Sequence, residues 1–302
     1  MTRTPAEHLS EREFAIFLFH GVVRSCDHPV RNYTRKHLPV EDFTSTIAEL
    51  CRVGRAVSMD DIVAAAEGRA DLPSHAFAVT FDDGFENNLT VAAPVLESFM
   101  VPATFYITTG FIERNGASWI DMVEYAVEET AVVRLSLQAL SLSGSWSSAT
   151  EKQQLLEDVR TIVKQDRRID PYDVAAEIWR QLGVEGMVSD RGLDQKLSWS
   201  QICQLDRHPL FMVGGHSHTH RVLEFLEDAA LDSEIATSLD LLRRQLGRPV
   251  THYSYPEGLA HCFSDRVIAS LRRHGVVCSP SAMPGVNAVG GDLFRLLRIP
   301  VT

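Results

Sequence analysis

The stretch Ala76-Phe-Ala-Val-Thr-Phe-Asp-Asp-Gly84 constrains this chain more than any other, because a run of strand character goes straight into two adjacent acids and a glycine. Phe77, Val79 and Phe81 alternate with Ala78 and Thr80, a pattern that suits a strand buried on both faces. Asp82 and Asp83 then fall at its C-terminal rim, and Gly84 lets the backbone turn away. Neighbouring strand residues point to opposite sides, so the two carboxylates can take different work, one binding a cation and the other handling a proton. An isolated Asp-Asp-Gly is also ordinary loop punctuation, a helix N-cap plus a turn, so a second feature has to decide.

That feature is Phe211-Met-Val-Gly-Gly-His-Ser-His-Thr-His220, another short apolar run that ends in glycines and then in three histidines within five positions. Twelve histidines in 302 residues produce roughly half of one His-x-x-x-His pair by chance, so spacing alone says little. Placement says more. In open or barrel-like α/β folds, chemistry gathers at the C-terminal ends of strands, and both the acid pair and the histidines fall there. Asp83 with His216 and His220 would form a one-carboxylate, two-imidazole site with positions left open for water and substrate.

Thr80-Phe-Asp-Asp-Gly84 resembles the first motif of the polysaccharide deacetylases, carbohydrate esterase family 4, and His216-Ser-His-Thr-His220 resembles their second, His-Ser/Thr-x-x-His. The likeness covers residues 14 to 110 and 205 to 300. It implies that Asp83, His216 and His220 hold one divalent metal ion, with zinc the expected one, and that Asp82 is the general base. It also implies a distorted barrel fold. The third family motif, Arg-x-Pro-Tyr, is replaced here by Ser254-Tyr-Pro-Glu257. Tyr255, Pro256, Glu257 and Gly258 then make a Tyr-Pro-x-Gly substrate or oxyanion loop, as in some relatives. In the family the motif arginine holds the base aspartate, and Arg298 in Leu297-Arg-Ile-Pro300 is the candidate to replace it. The late Leu-x-His motif is absent too. Phe19-His-Gly-Val22 resembles the N-terminal segment in which some members carry the catalytic acid, which assigns that role to His20, with His261 in reserve.

Charge and composition narrow the partners. A net charge of −11 and the lack of any Lys/Arg run argue against a nucleic-acid backbone as partner. With 45% hydrophobic and 23% charged residues, the composition is that of an ordinary globular protein. No apolar run approaches the ~18 residues of a membrane helix. The polar start, Met1 to Glu13, has no apolar segment of a secretory signal, so a cytoplasmic location is expected. Five cysteines, odd in number and scattered, fit reduced thiols.

Along the chain, Glu13 to Phe19 predicts a buried first strand that ends at His20. Val40 to Arg52 predicts a helix stopped by Gly54, Arg55 to Val57 a short strand, and Ser58-x-x-Asp61 a capping box that opens a helix to Glu67. Asn87 to Phe99 has helical spacing with Pro94 inside it, and Ala103 to Thr108 is a strand. Residues 113 to 200 read as an inserted helical segment, with helices at 120–129, 150–166 and 171–182 around a polar hairpin-like stretch at 141–148. It is expected to form a lid or substrate-head pocket near the rim, or else a plain structural appendage. Ser198-x-x-Gln201 opens another helix, Leu231, Ile235, Leu239, Leu242 and Leu246 trace one face of a long one, and residues 263–274 form the last. Strands are expected at Val250 onward and at Val276 to Ser279. Alternation of helices and strands means a mostly parallel sheet, so the expected fold is one α/β domain, a distorted (β/α) barrel of seven to eight strands with the 113–200 insertion.

The expected reaction is hydrolysis of an N-acyl group, acetyl or else formyl, from an amino sugar that is a soluble or lipid-linked precursor or unit of a bacterial surface glycan. Two other readings stay open: hydrolysis of a non-sugar C–N bond in a small cyclic amide or ureide, and a non-catalytic carbohydrate-binding relative. The intact Asp82, Asp83, His216 and His220 weigh against the last, since a binding module needs no base beside a metal. The sequence leaves the sugar, the metal's identity and the oligomeric state open.

Overall fold

The computed structural model describes residues 4–302. It divides into two compact units, the first made of residues up to Arg24 with His37–Gly116 and Gln195–Thr302, the second of Ser25–Lys36 and Ala117–Asp194.

In chain order the first unit begins with β1 (Glu13–Phe19), β2 (Gly21–Val23), β3 (His37–Pro39), α1 (Val40–Val53), β4 (Arg55–Ala56), α2 (Met59–Ala66), β5 (Ala76–Phe81), α3 (Ala93–Ser98), β6 (Ala103–Ile107) and α4 (Thr109–Arg114). The second unit carries α5 (Trp119–Glu129), the strands β7 (Val133–Leu137) and β8 (Leu142–Trp146), α6 (Ala149–Gln165) and α7 (Pro171–Leu182). The first then resumes with α8 (Trp199–Arg207), β9 (Phe211–Gly215), α9 (Asp228–Leu246), α10 (Asp265–Arg273), β10 (Asn287–Ala288) and β11 (Ile299–Pro300).

The central sheet of the first unit runs β10-β1-β5-β6-β9, with β4 on β5 and β11 on β1. All pairs except β1·β10 are parallel. Every residue of β5 is buried, as expected for a strand covered on both faces. On one face the rings of Phe19, Phe81 and Phe105 stack across β1, β5 and β6 at centroid distances of 5.4 and 5.1 Å, and Phe211 of β9 meets Phe105 edge-on. Each such pair adds ~0.5–1.5 kcal/mol beyond burial, and together they hold neighbouring strands in register where the site-bearing loops begin.

The strands expected at 250–258 and 276–279 are reduced to isolated parallel bridges, Gly215 with Tyr253 and His252 with Cys278, followed by Pro280 with Leu296. Pro249, Pro256 and Pro280 lack the N–H that a continuous ladder needs at those places. These bridges carry pairing from β9 as far as Leu296, three residues before β11, which pairs with β1.

Local chemistry explains most helix boundaries. Ser58 and Ser198 form their capping boxes with Asp61 and Gln201, each worth ~1 kcal/mol. The helix expected over 87–99 instead opens with a π turn, Asn88–Ala92, in which the Ala93 N–H donates to the Asn88 carbonyl. Pro94, which has no N–H to offer, then sits in the first turn of α3, the place where a helix tolerates it.

The core of the second unit is built from Trp119, Val123 and Val127 of α5, the buried alternate residues of β7, Leu155, Leu156 and Val159 of α6, and Val174 and Ile178 of α7. Residues 141–148 contain β8, which forms a hairpin with β7. The periodicity of residues 133–137 is a strand's, alternately buried and exposed. The segment 25–36, which belongs to this unit, was not part of the expected insertion.

Among the described residues no helix is long and apolar enough to cross a membrane, and no two cysteines form a disulfide.

Candidate active site

The site stands at the C-terminal ends of β1, β5 and β9. β1 and β5 pair in parallel with Phe19 abreast of Phe81, so the next residues, His20 and Asp82, leave the sheet side by side. The Asp82 N–H donates to the Phe19 carbonyl at 3.0 Å. Asn88 fixes the other side of the turn by donating to the His20 carbonyl at 2.7 Å. Asp83 and Gly84 follow with φ of 76° and 87°, a left-handed pair that turns the chain away from the sheet. Glycine takes that conformation without strain and aspartate accepts it better than most residues.

Asp83, His216 and His220 each offer one ligand atom, and the three atoms lie within 4.8 Å of one another. The Nε2 atoms of His216 and His220 stand 3.6 and 3.3 Å from Asp83 Oδ1. His216 Nδ1 lies 2.9 Å from the Ser254 carbonyl. Only a protonated Nδ1 can bond to a carbonyl, so a neutral His216 keeps its lone pair on Nε2, the atom turned to Asp83. Burial holds His216 below its ordinary pKa, against the raising influence of Asp82 and Asp83, which favours the neutral, ligating form. One carboxylate and two imidazoles of this kind fit a divalent cation such as zinc. His218 turns to Thr109, whose hydroxyl shares a 2.9 Å hydrogen bond with Nδ1.

Asp82 is 3% exposed and locked in place. The Arg298 guanidinium donates to Oδ1 at 2.8 Å and to Oδ2 at 2.7 Å, the bidentate fork that matches arginine to a carboxylate. Arg298 is itself fully buried. It also donates to the Ser281 carbonyl, to the Thr80 hydroxyl and to Ser254 Oγ, and the Ser254 hydroxyl in turn donates a hydrogen bond to Asp82 Oδ2 at 3.3 Å. Burial by itself would raise the Asp82 carboxyl, but the Arg298 charge, helped by His216 and His20, outweighs it and holds the group below the usual carboxylate range. Asp82 is thus an ionised carboxylate beside the cation-competent triad, 3.8 Å from His216 Nε2.

Residues 69–279, more than half of the chain, match the sequence profile of the family described as polysaccharide deacetylase. The chain belongs to the polysaccharide deacetylase family. Its fold is also that of several solved structures. IcaB from Ammonifex degensii is 18% identical with a TM-score of 0.63 over 98% of this chain and 94% of that one. The Streptococcus pyogenes deacetylase PplD in complex with acetate is 15% identical with a TM-score of 0.62 over 96% and 92%. The BpsB deacetylase domain from Bordetella bronchiseptica is 16% identical with a TM-score of 0.59 over 97% of both chains. At such identities the likeness is one of fold. No curated protein matches the chain in sequence.

Other residues singled out in the sequence are placed differently from one another. The ring of Tyr255 is buried, stacks on Phe263 at 4.2 Å and donates its hydroxyl to the Phe294 carbonyl at 2.9 Å. That side chain belongs to the core, which leaves the main chain as what this position can offer a substrate. Pro256 is buried, and Glu257 and Gly258 are both left-handed, with φ of 59° and 61°. His261 is exposed and its ring stacks on Phe225. Sequence reasoning gave no role to Ser254, although its hydroxyl touches Asp82 and its carbonyl orients His216. Its position directly before the Tyr-Pro-Glu-Gly loop was the available signal.

Proposed function

We propose that this polysaccharide deacetylase family member is a divalent-metal-dependent hydrolase that removes an N-acyl group, acetyl first and formyl second, from an amino sugar in a surface-glycan unit or precursor. The observation that supports this reading is the convergence of Asp83, His216 and His220 beside an Asp82 kept ionised by Arg298. Asp83, His216 and His220 would hold the ion, which when bound acts as a Lewis acid toward the acyl oxygen and the attacking water. Asp82 takes the proton that this water loses as its oxygen bonds to the acyl carbon. The C–N bond then breaks, and His20 gives a proton to the departing nitrogen, so that a carboxylic acid and a free amine leave. Ser254 and Arg298 take no proton; they keep Asp82 aimed and charged.

The decisive assay measures acetate release from N-acetylated amino-sugar oligomers and acylated nucleotide sugars, with ureides and cyclic amides in parallel, before chelation, after it, and after reloading with zinc. Turnover of the sugars that is lost on chelation and restored by zinc is expected. Turnover confined to the cyclic amides would replace the substrate class, and full activity after complete chelation would remove the metal.

For His20→Ala, turnover of amides is expected to fall by ~10²–10⁴-fold, the usual range for loss of a positioned proton donor, with zinc content unchanged. An activated aryl ester, whose leaving group needs no proton, should lose far less. Equal losses on ester and amide would assign His20 to binding and move the acid role to His261.

A further inference from the structure

The histidine loop contains two non-glycine residues in left-handed backbone, Ser217 with φ of 65° and His220 with φ of 59°. Such residues persist where surrounding contacts over-determine them. Here the contacts come from α4 and α9. The Thr109 N–H donates to the Ser217 carbonyl and the Gly110 N–H to the His218 carbonyl, at 3.1 and 2.8 Å. A Cβ on Gly110 would lie 2.4 Å from that His218 oxygen, so only glycine permits the approach. From the other side Glu234 of α9 presents a single oxygen, Oε1, to three donors: the His218 N–H at 2.9 Å, the Thr219 N–H at 2.5 Å and the Thr219 hydroxyl at 2.9 Å. His220 then closes the turn by donating its N–H to Ser217 Oγ at 2.9 Å.

We infer that Glu234 is a positioning residue for the cation site, its carboxylate clamping the main chain between His216 and His220 so that both imidazoles are held toward Asp83 before any ion arrives. This rests on the metal reading above. A carboxylate that accepts backbone N–H bonds makes them stronger than a neutral acceptor does. Without it, the 217–220 turn is free to relax from its left-handed conformation, and His220, the last residue of that turn, moves most. A side chain that orients ligands without touching the ion typically accounts for ~10–100-fold in metal affinity.

The test compares the wild type with Glu234→Ala, Glu234→Gln and Ile235→Val, the last a control that loosens the packing of α9 through the buried residue next to Glu234. Zinc affinity is measured by competition with a fluorescent chelator, and amide exchange of His218 and Thr219 is measured on metal-free protein. Glu234→Ala is expected to weaken zinc binding ~10–100-fold and to speed exchange at both amides. Glu234→Gln, which keeps a carbonyl oxygen in place, should recover most of the affinity, and Ile235→Val should lower only the melting temperature. Wild-type affinity or unchanged exchange in Glu234→Ala would overturn the clamp, as would equal loss of affinity in Ile235→Val. An Asp83→Asn control separates the two readings. If it binds zinc as tightly as the wild type, the metal site fails, while the metal-free exchange data still judge the clamp.

Discussion

Asp82→Asn is expected to lower turnover by ~10²–10⁴-fold, the range for loss of a general base, while leaving zinc content near that of the wild type. The amide nitrogen cannot accept the proton of the attacking water. The proposed ligand atoms are those of Asp83, His216 and His220, which lie within reach of one ion, so the ion should stay. Asp83→Asn should give the opposite pattern, with zinc lost at concentrations that saturate the wild type and activity restored in part by excess zinc. The contrast is checked by metal analysis of purified variants beside single-substrate kinetics. Equal zinc loss in both variants would show that metal binding and proton transfer are not divided between the two acids in this way.

Arg298→Met should produce the largest loss of stability, ~3–5 kcal/mol, because it removes one partner of a buried ion pair and leaves the other charge without compensation. Both groups are out of solvent, Arg298 fully and Asp82 nearly so, and solvent screening does little to soften the loss. The pH behaviour follows with a definite sign. Asp82 is held below its unfolded value of ~3.9, so its contribution to wild-type stability is present above that value and disappears as pH falls through the lower, folded one. In the variant, burial is opposed far less without the guanidinium, and the carboxyl titrates higher. The acid limb of the kcat/KM profile should therefore move to higher pH, and the stability deficit measured by denaturant unfolding should shrink as pH is lowered. Arg298→Lys should rescue only in part, since an ammonium cannot make the two parallel bonds of the guanidinium. An unmoved acid limb in a folded Arg298→Met protein would mean that Asp82 is not the group that titrates in catalysis.

What the sequence determined by itself is the local chemistry of the rim. Strand character that runs into Asp82-Asp83-Gly84 and into His216 to His220 requires the acids and histidines to emerge at strand ends, because alternation leaves no other place for polar groups at the close of a buried strand. The capping serines and glycine stops marked helix boundaries for the same reason, since each satisfies backbone groups within a few residues of itself. The tertiary structure alone decided which distant groups complete the site. Arg298 lies 216 positions from Asp82, Ser254 172, and Glu234 reaches the histidine loop from a helix 15 to 16 positions on. Arg298 could be named from its place near the last strand, but nothing local distinguishes a buried arginine from a solvated one. Likewise Tyr255 looks like a rim residue beside Pro256, and only packing against Phe263 shows that its ring serves the core. Pairing between strands far apart in sequence brings such groups together, and periodicity over a few residues carries no record of it.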